Sequence, residues 1–472
     1  MDAVKYKEIN LLNYWISAFF LIQILVFYAI RPTRFYVEVL KYEVILFYFW
    51  CFISMFGKLK FMSLYFLFLF SFGLFILSRL FLDILGEAKF EYADMFFKQY
   101  FSLHTQKVIL SYILFFLISV HAGATAFTGN KPAAESARTI KPNARLEKFG
   151  LRLFWIYLPI VLAKIWIQFS FVLEHGYLAI FSGEMENIDF PFWMAGASSI
   201  FDLAFVCILI AIPARKKFIS IALIYLFIQL FSSLIGGRGK FILSVLFVLW
   251  YYYKVFDLKF KIKNILYLLT FVVIFSQSVS AIRVKDEKLL QNNPLYSFFY
   301  EQGNSVLVLG HMVNYKDEFV NTGPPYIWGG LNFRSGQNTI EHLKRTNSLA
   351  SELTYFLSPR SYLEGYGIGS SILGELYDLG ILGMLIIAFA LGSLIICFDK
   401  QVLRNPVLFF FSMLIVQQIL WMPRGNLFPE YKRILVFIGI FIIIKIFKIE
   451  EPSGPSSATA VENQEQHITN TP

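Results

Sequence analysis

The stretch LFSSLIGGRGKFILSVLF, Leu230 to Phe247, is apolar at both ends and interrupted in the middle by the residues GGRGK at positions 236–240. The apolar sequence continues outward on both sides, far enough to form two helices that each cross a bilayer, which takes about 20 residues. Glycines permit a tight backbone turn, and two cations are costly in the hydrocarbon core. The stretch therefore predicts two membrane-spanning helices joined by a short turn at a membrane surface.

The composition of the whole chain extends this prediction to a polytopic membrane protein. Of the 472 residues, 57% are hydrophobic and only 16% are charged, and the mean hydropathy is +0.60. A soluble globular protein of this length has more charge and fewer apolar residues. Aromatic residues make up 19% of the chain, and they suit packing against lipid or against a sugar ring. The predicted fold class is an all-α polytopic membrane protein.

The cysteines and the charges disfavour two classes of function. The three cysteines, Cys51, Cys207 and Cys397, each lie in an apolar run, so a disulfide framework or a cysteine metal site is not expected. The formal net charge of +10 comes from cations in short loops between apolar runs and not from one basic stripe. That distribution is typical of membrane topology signals and argues against nucleic-acid binding.

We count about twelve runs that are long enough to cross a ~30 Å hydrocarbon core as helices. The first run follows a short polar start without a small-residue cleavage site, so we expect it to be retained as a span. An even number of spans places both termini on the same side of the membrane. The runs lie near residues 10–30, 40–57, 61–83, 108–127, 151–172, 193–213, 218–236, 241–254, 264–281, 370–398, 406–421 and 433–448.

The cations between the spans indicate which side that is. Segments on the side of the N-terminus carry about twice as many Lys and Arg residues as the short loops on the other side. Segment 174–189, on the opposite side, contains four carboxylates and no Lys or Arg. Because cytoplasmic loops carry the excess of cations, we expect both termini in the cytoplasm.

One connection is far longer than the others. Residues 282–369, between the ninth and tenth predicted spans, form an extracytoplasmic segment with amphipathic helical pieces and a Gly/Pro-rich turn region, and segments of that length generally have a function. The tail at 449–472 is rich in Pro, Ser and polar residues, and we expect it to be disordered and cytoplasmic. The sequence therefore predicts one membrane domain, residues 1–448, that includes the long helical segment.

Arginines gather at the extracytoplasmic level of this topology. The planar guanidinium binds phosphate or carboxylate through two hydrogen bonds, so such a set suits an anionic head group such as a lipid diphosphate. The glycines of the GGRGK motif, Gly236, Gly237 and Gly239, allow a ligand to approach the backbone closely. The alternative is that these arginines extend to the interface and bind ordinary lipid phosphates. The members of the set are Arg238, Arg283, Arg360 and Arg424, followed by Arg433.

A second group of candidates lies in EGYGIGSSILGELYDLGILG, Glu364 to Gly383. Ser370 or Ser371 can cap the tenth helix, and Glu375 and Asp378 lie one turn apart on the same helix face. A carboxylate just below the interface could act as a general base on a sugar hydroxyl, or it could pair with one of the arginines. The glycines do not form a dinucleotide-binding fingerprint, because the third glycine is missing.

The sequence predicts no metal site. His121 and His311 have no second His or Cys at ligand spacing, and there is no Asp-x-Asp pair of the kind that holds a divalent metal on a sugar diphosphate. We therefore expect metal-independent chemistry without a cofactor, with Asp378, His311 and Tyr366 as further substrate contacts. Asp202 and Lys164 lie within predicted spans, where each charge needs a partner, and they could pair with each other.

These motifs resemble those of a known family, the Wzy O-antigen polysaccharide polymerases, and of the related enterobacterial common antigen polymerases. The hydropathy layout supports the same resemblance from end to end. It implies a class C-like glycosyltransferase of lipopolysaccharide and polysaccharide biosynthesis, which crosses the bacterial inner membrane many times. The motifs are GGRGK at 236–240, GYLAIFSGE at 176–184, SPRSYLEGYGIGSSILGELYDLGILG at 358–383 and MPRGNLFPEYKR at 422–433.

The resemblance also implies a reaction and a role for each candidate. The polymerase would transfer a growing glycan from undecaprenyl diphosphate to the next lipid-linked repeat unit on the periplasmic side. Arg238 and Arg360 would stabilise the diphosphate leaving group, with Arg283 and Arg424 as weaker members of the set. Glu375 would be the general base or would orient the acceptor. The implied partners are the undecaprenyl diphosphate-linked oligosaccharide, membrane lipid and, as a further candidate, a chain-length regulator.

Three other functions fit parts of the pattern. A ligase that moves a finished glycan onto a lipid acceptor would use the same chemistry. A flippase or other transporter of lipid-linked oligosaccharide usually places its charges at the membrane midplane, whereas these candidates gather at one face. A membrane O-acyltransferase would use His121 as an intramembrane base.

Overall fold

The described residues form helices and one short β-ladder. The computed structural model describes residues 3–93, 99–128, 140–175, 190–235, 238–256, 270, 294–320, 323–331, 339–363 and 369–446. The ladder joins β1 (Tyr92–Ala93) and β2 (Gln99–Tyr100) in antiparallel register. A π-helical turn, Gly73–Leu77, connects two helices into one continuous rod.

Ten helices precede residue 257 within the described part of the chain. They are α1 (Ala3–Ala29), α2 (Arg34–Met55), α3 (Leu64–Phe72), α4 (Ser78–Ile84), α5 (Leu103–Thr128), α6 (Ala144–His175), α7 (Phe192–Ala195), α8 (Ala197–Ile210), α9 (Arg215–Ile235) and α10 (Arg238–Phe256).

Nine more helices follow between residues 294 and 446. They are α11 (Pro294–Gln302), α12 (Ser305–Tyr315), α13 (Ile340–Arg345), α14 (Leu349–Leu357), α15 (Pro359–Leu363), α16 (Ile372–Tyr377), α17 (Gly380–Gln401), α18 (Pro406–Trp421) and α19 (Tyr431–Ile446). Three 3-10 turns, Lys316–Glu318, Tyr326–Leu331 and Met422–Arg424, lie between them.

Eight of the described helical rods are long and apolar enough to cross a membrane, which confirms the class of an all-α polytopic membrane protein. One of them runs through α3, the π turn and α4 as Leu64–Ile84. The other seven are Asn10–Ala29, Leu103–Thr128, Ala144–His175, Arg215–Ser233, Gly239–Phe256, Gly380–Gln401 and Pro406–Arg424.

The remaining predicted spans differ from this set for identifiable reasons. The run at 40–57 belongs to α2, whose first half carries Glu38, Lys41 and Glu43 and is therefore less apolar. The run at 193–213 gives the shorter α8, which ends before Pro213 because a proline disfavours helical backbone in the residue before it. The run at 433–448 is apolar and described over Arg433–Ile442. The run at 264–281 lies outside the described residues apart from Thr270, as does the tail at 449–472.

The helical hairpin predicted around the GGRGK motif is present. Helix α9 ends at Ile235 and α10 begins at Arg238, and the two helices pack against each other. Only two positions separate them, and these two, Gly236 and Gly237, lie outside the described residues. The motif therefore lies at one end of the bundle.

Among the described helices, α5 and α17 pack most extensively against each other. A Cβ added to Gly123 would overlap the carbonyl oxygen of Phe389, and a Cβ added to Gly392 would overlap that of Val120. Small residues at such positions let two membrane helices approach backbone to backbone. The hydroxyl of Ser119 donates a hydrogen bond of 2.6 Å to the backbone oxygen of Leu385 and adds to this contact.

Residues 294–363, which we call the cap segment, pack over one end of the bundle, which we call the capped end. Helix α12 lies against α5 and α16, and α11 lies against α4. The segment also has a small apolar core of its own, against which Tyr377 of the bundle packs. The buried members of that core are Val308, Met312, Tyr326, Leu349, Leu353 and Leu357.

The predicted tenth span is divided into two helices. As predicted, a serine caps its start, because the Ser371 side chain accepts a hydrogen bond from Gly374 N. The helix breaks after Tyr377 and restarts at Gly380, which adopts a φ of +70°. Only glycine reaches this left-handed conformation without steric cost. The break separates α16, at the capped end, from the membrane-spanning α17.

Candidate active site

The connection between α18 and α19 carries the arginine at the centre of the site. The turn Met422–Arg424 continues from the end of α18, with Pro423 at its second position. Proline cannot extend an α-helix, so the chain leaves the helix axis here. Gly425 follows, and a Cβ at this position would overlap the indole nitrogen of Trp421. The sequence WMPRG at 421–425 thus forms a compact turn that projects Arg424 at the capped end.

Arg424 is half-buried and held by groups from three distant parts of the chain. Its Nη1 donates a hydrogen bond of 2.6 Å to Oε1 of Gln302, at the end of α11. Its guanidinium carbon lies 5.3 Å from the centre of the Phe75 ring, in the π turn. Its Nε lies 3.5 Å from the position that a Cβ on Gly239 would occupy. The fixed guanidinium therefore borders the first turn of α10.

The first turn of α10 adds to the positive potential beside Arg424. The first N–H groups of any α-helix have no partner within the helix, and the helix dipole places partial positive charge at the same end. Helix α10 begins at Arg238 and its next residue, Gly239, faces Arg424. A helix N-terminus next to an oriented guanidinium is a suitable binding site for phosphate.

Glu375 is completely buried beneath this connection. Its Oε2 accepts a hydrogen bond of 2.8 Å from Leu427 N, and its Oε1 accepts one of 3.0 Å from the Ser370 hydroxyl. Burial raises the pKa of Glu375 to about 8, although the hydrogen bonds from Leu427 and Ser370 oppose that rise. The carboxyl thus ties α16 to the chain three residues after Arg424.

The same connection has further supports. Gln418 Nε2 donates a hydrogen bond of 2.6 Å to the backbone oxygen of Asn426. The ring of Phe428 stacks on Trp328 of the cap segment, with centroids 5.2 Å apart and planes within 7°. A Cβ on Gly330 would overlap the carbonyl oxygen of Phe428, so the two backbones touch there. The cap segment and the connection that bears Arg424 therefore form one packed unit.

Asp378 and His311, two predicted substrate contacts, both join the cap segment to the bundle. Asp378 Oδ1 lies 2.8 Å from Nζ of Lys316, and Oδ2 accepts a hydrogen bond of 3.2 Å from Tyr326 N. His311 is fully buried, with Nδ1 3.3 Å from Nε2 of Gln99, and burial lowers the pKa of His311 to about 4. Glu375 and Asp378 thus contact different segments, and direct substrate contact by either His311 or Asp378 stays a prediction.

The other predicted arginines have different settings. Arg360 is exposed on α15, which packs against α14 within the cap segment. Arg433 is exposed on the first turn of α19, and its Nη2 donates a hydrogen bond of 3.0 Å to Oε1 of Gln417. The backbone of Arg238 is described but its side chain is not, and Arg283 and Tyr366 lie outside the described residues.

The structure shows the surroundings of Asp202, Lys164 and His121, for which the sequence suggested an ion pair and an intramembrane base. Asp202 accepts a hydrogen bond of 3.0 Å from Nε2 of Gln229, and Nζ of Lys164 lies 5.4 Å from the Phe190 ring centre. His121 is fully buried in the bundle, with Nδ1 2.8 Å from the Tyr65 hydroxyl. Its Nε2 lies 3.3 Å from the hydroxyl of Ser54, so both ring nitrogens are engaged inside the core.

Metal ligands do not cluster in the part of the chain that the structure describes. No group of three or more His, Cys, Asp or Glu side chains arranged to hold an ion occurs there. The functional groups at the centre of the site are a fixed guanidinium, backbone N–H groups and a buried carboxyl.

Sequence reasoning missed two contributors to this site. Gln302 and Phe75 hold the guanidinium, yet neither belongs to a charged or glycine-rich motif. Phe75 is one of 54 phenylalanines. It lies in the π turn, which the apolar run at 61–83 did not predict. Only the tertiary packing identifies these residues.

The fold defines an integral membrane protein with a fixed arginine, Arg424, at one end of its helical bundle. The sequence model of a family described as O-antigen polysaccharide polymerase Wzy matches residues 12–451, nearly the whole chain. The chain belongs to this family, as its motifs predicted. No curated protein and no solved structure shows a significant match to the chain.

Proposed function

We propose that this protein polymerises a surface polysaccharide at the periplasmic face of the bacterial inner membrane. It transfers a growing glycan from undecaprenyl diphosphate to the next lipid-linked repeat unit. Membership of the O-antigen polymerase family supports the polymerase assignment. In this proposal the capped end is periplasmic and both termini are cytoplasmic, in agreement with the distribution of cations along the chain.

The observation that carries the mechanism is the setting of Arg424. Its guanidinium is held by Gln302 and Phe75 beside the first turn of α10. When the bond between the sugar and the diphosphate breaks, negative charge develops on the diphosphate. A preorganised cation and backbone N–H groups lower the energy of that charge in the transition state. Arg424 and the N-terminus of α10 therefore bind the leaving group.

The remaining candidates take supporting roles in this proposal. Arg238 stands at the N-terminus of α10, next to the same anion site. Arg360 belongs to the cap segment, and in this proposal Arg360 and Arg283 would contact the diphosphate or the incoming glycan. Glu375 acts through the connection that it holds, because both of its oxygens are engaged and its side chain has no exposed surface.

The test is replacement of Arg424 by alanine in a strain that lacks the gene. We expect the polymer to fall about 100-fold at matched protein level, the cost of removing one preorganised charge-stabilising group. Arg145→Ala is the matched control, because Arg145 is exposed near the first turn of α6, close to the end of α8 and away from the capped end. A normal distribution of long chains in Arg424→Ala would contradict the proposed role.

The same strains separate the related functions. Loss of a polymerase leaves single repeat units, whereas loss of a ligase leaves long chains on undecaprenyl diphosphate. Purified protein in detergent has no second compartment, so polymer formed there from lipid-linked repeat units cannot come from transport. Lipid analysis of the deletion strain and this turnover assay together decide among polymerase, ligase and flippase.

A further inference from the structure

A polar groove lies next to the arginine site, between α8, α9, α10 and α19. Asp202 of α8 is its centre. The carboxylate accepts a hydrogen bond of 3.0 Å from the amide of Gln229 on α9, and Tyr225 of the same helix lies beside it. Arg433 of α19 and Lys240 of α10 lie close enough to interact with it electrostatically. These five residues, which we call the Asp202 groove, come from four helices.

The groove is open. The Asp202 side chain is exposed, although charged groups of α10 and α19 lie near it. An exposed carboxylate on an apolar helix cannot face lipid without a large energetic cost, so it must face water or a bound polar ligand. Lys240 and Arg433 are exposed as well. The groove is therefore a place where a ligand can reach a carboxylate inside the helical bundle.

The position of the groove relates it to the reaction. Asp202 and Arg433 lie near the beginnings of their helices, Lys240 lies in the first turn of α10, and Gln229 lies near the end of α9. These helix ends meet at the capped end. Lys240 directly follows Gly239, the residue that contacts Arg424. The carboxylate thus lies at the same end of the bundle as the proposed diphosphate site.

Rigid aromatic packing holds the groove in shape. The Tyr225 ring stacks on Phe205, with centroids 3.9 Å apart and planes within 8°, and also on Phe201 at 6.1 Å. Tyr225 is buried, so its ring forms a fixed wall beside Asp202. One oxygen of the carboxylate is oriented by the Gln229 amide. Such preorganisation is typical of groups that act in a reaction.

The charges restrict what the groove can bind. A carboxylate at its centre repels an anionic group, so the diphosphate belongs at Arg424. A divalent metal ion prefers several carboxylate or carbonyl ligands, whereas this single carboxylate has two cations beside it. The ligand class that fits is therefore a neutral polyol. One sugar hydroxyl can donate a hydrogen bond to Asp202, and the adjacent hydroxyls of the same sugar can accept hydrogen bonds from Gln229 or Lys240.

We propose that the Asp202 groove binds the acceptor sugar and that Asp202 takes the proton from its attacking hydroxyl. The inference rests on the proposed polymerase function and adds the acceptor site to it. The acceptor oxygen forms a bond to the anomeric carbon of the donor sugar, and the bond from that carbon to the diphosphate oxygen breaks. The electron pair of the broken bond leaves on undecaprenyl diphosphate, and the proton moves to the Asp202 carboxylate, which later releases it to water.

The first test measures turnover of lipid-linked repeat units by purified protein in detergent. For Asp202→Asn we expect kcat to fall at least about 100-fold, the usual contribution of a general base. KM should change by less than about threefold, because asparagine keeps the shape and one hydrogen-bond acceptor. Asp317→Asn is the control, since Asp317 is an exposed carboxylate of the cap segment outside the groove.

A second variant guards against an effect on folding. Asp202→Ala leaves space for a small carboxylate, so sodium formate should raise its turnover at least about tenfold, while sodium chloride at equal ionic strength should not. Turnover of Asp202→Asn within threefold of wild type, or failure of formate to raise turnover of Asp202→Ala, would overturn the assignment and leave the polymerase function intact. Absence of polymer with the wild-type protein would instead overturn both.

Discussion

In the proposed function, Glu375 is a buried side chain that positions the connection bearing Arg424 without contacting the substrate. Its two oxygens bind Ser370 and the N–H of Leu427, and it has no exposed surface. With a pKa raised by burial to about 8, the carboxyl is largely neutral at pH 7. Glutamine has almost the same shape, carries no charge and can also accept from Leu427 N.

Two substitutions at this position distinguish positioning from catalysis. We expect Glu375→Gln to retain polymer formation within about threefold, because it preserves the hydrogen bond to Leu427. Glu375→Ala leaves a buried N–H without its partner, which costs about 1–3 kcal/mol, and releases the connection that carries Arg424. The comparison requires kcat and KM of both variants. A fall of about 100-fold in kcat for Glu375→Gln would show instead that the carboxylate is the base.

At the residue scale, the sequence predicted the kinds of group at the site more reliably than their contacts. Arginine beside glycine indicated anion binding, and the structure brings Arg424 against Gly239. The pattern could not show that Glu375 and Asp378, one turn apart, would bind to different segments. Their partners, Leu427 and Lys316, are each more than 50 positions away along the chain, so no local spacing encodes them.

At the element scale, the connection of residues 422–430 depends on the close approach of two backbones. Gly330 of the cap segment touches the carbonyl of Phe428, and the neighbouring Trp328 stacks on the Phe428 ring. A side chain at position 330 must push the two elements apart. The connection would then move relative to α10, and the contact of Arg424 with Gly239 would loosen.

We therefore expect Gly330→Ala to reduce polymer formation at least about tenfold, because small displacements of a positioned group carry large kinetic costs. Gly439→Ala is the matched control, since a Cβ at Gly439 in α19 meets no atom within 4 Å. Alanine favours helix over glycine by about 1 kcal/mol, so this control should be neutral or slightly more stable. The measurements are polymer length in a complemented deletion strain and the apparent Tm of both purified variants. Equal activity of the two variants would show that the contact is dispensable.

The elements themselves were predicted well where hydrophobic periodicity is strong. Helix α9 ends and α10 begins on either side of the predicted turn, and Ser371 caps α16 as predicted. The break before Gly380 was not predicted, because the apolar run continues across it. A hydropathy profile shows how far an apolar run extends. A glycine with left-handed backbone inside the run leaves the profile unchanged, so the profile cannot reveal the break.

At the scale of the whole molecule, Arg79 joins the membrane bundle to the cap segment. It is almost fully buried in α4. Its guanidinium donates to the backbone oxygens of Tyr92 and Tyr300, at 3.0 and 3.2 Å, and to Oδ1 of Asn304 at 2.5 Å. The Tyr300 ring centre lies 3.9 Å from its guanidinium carbon. One side chain thus satisfies three acceptors from two parts of the chain.

Replacing Arg79 with lysine keeps the charge and removes this forked geometry. Buried carbonyl groups would lose their donors, at a cost of about 1–3 kcal/mol each. We expect the cap segment to separate locally from the bundle, so that chymotrypsin cleaves at Tyr296 or Tyr300 at least about tenfold faster in detergent. Arg145→Lys, at an exposed position, serves as the control. Cleavage at the same rate in both variants would show that other contacts hold the segment.

For the whole molecule, composition was sufficient to predict a polytopic helical protein, and the family motifs were sufficient to predict its family. The arrangement of helices around the site could not be predicted. It depends on contacts such as that between Gly123 of α5 and α17, which join elements more than 250 positions apart. A single sequence contains the residues for such contacts without indicating their partners.

The support of Arg424 by distant segments has a consequence for biosynthesis. Phe75, Gly239 and Gln302 are synthesised long before Arg424, which enters only with the last two described helices. A ribosome-bound or partly inserted chain therefore lacks these contacts around Arg424. In the proposed function, such a chain cannot stabilise the diphosphate leaving group, so the order of assembly would by itself delay activity until membrane insertion is complete.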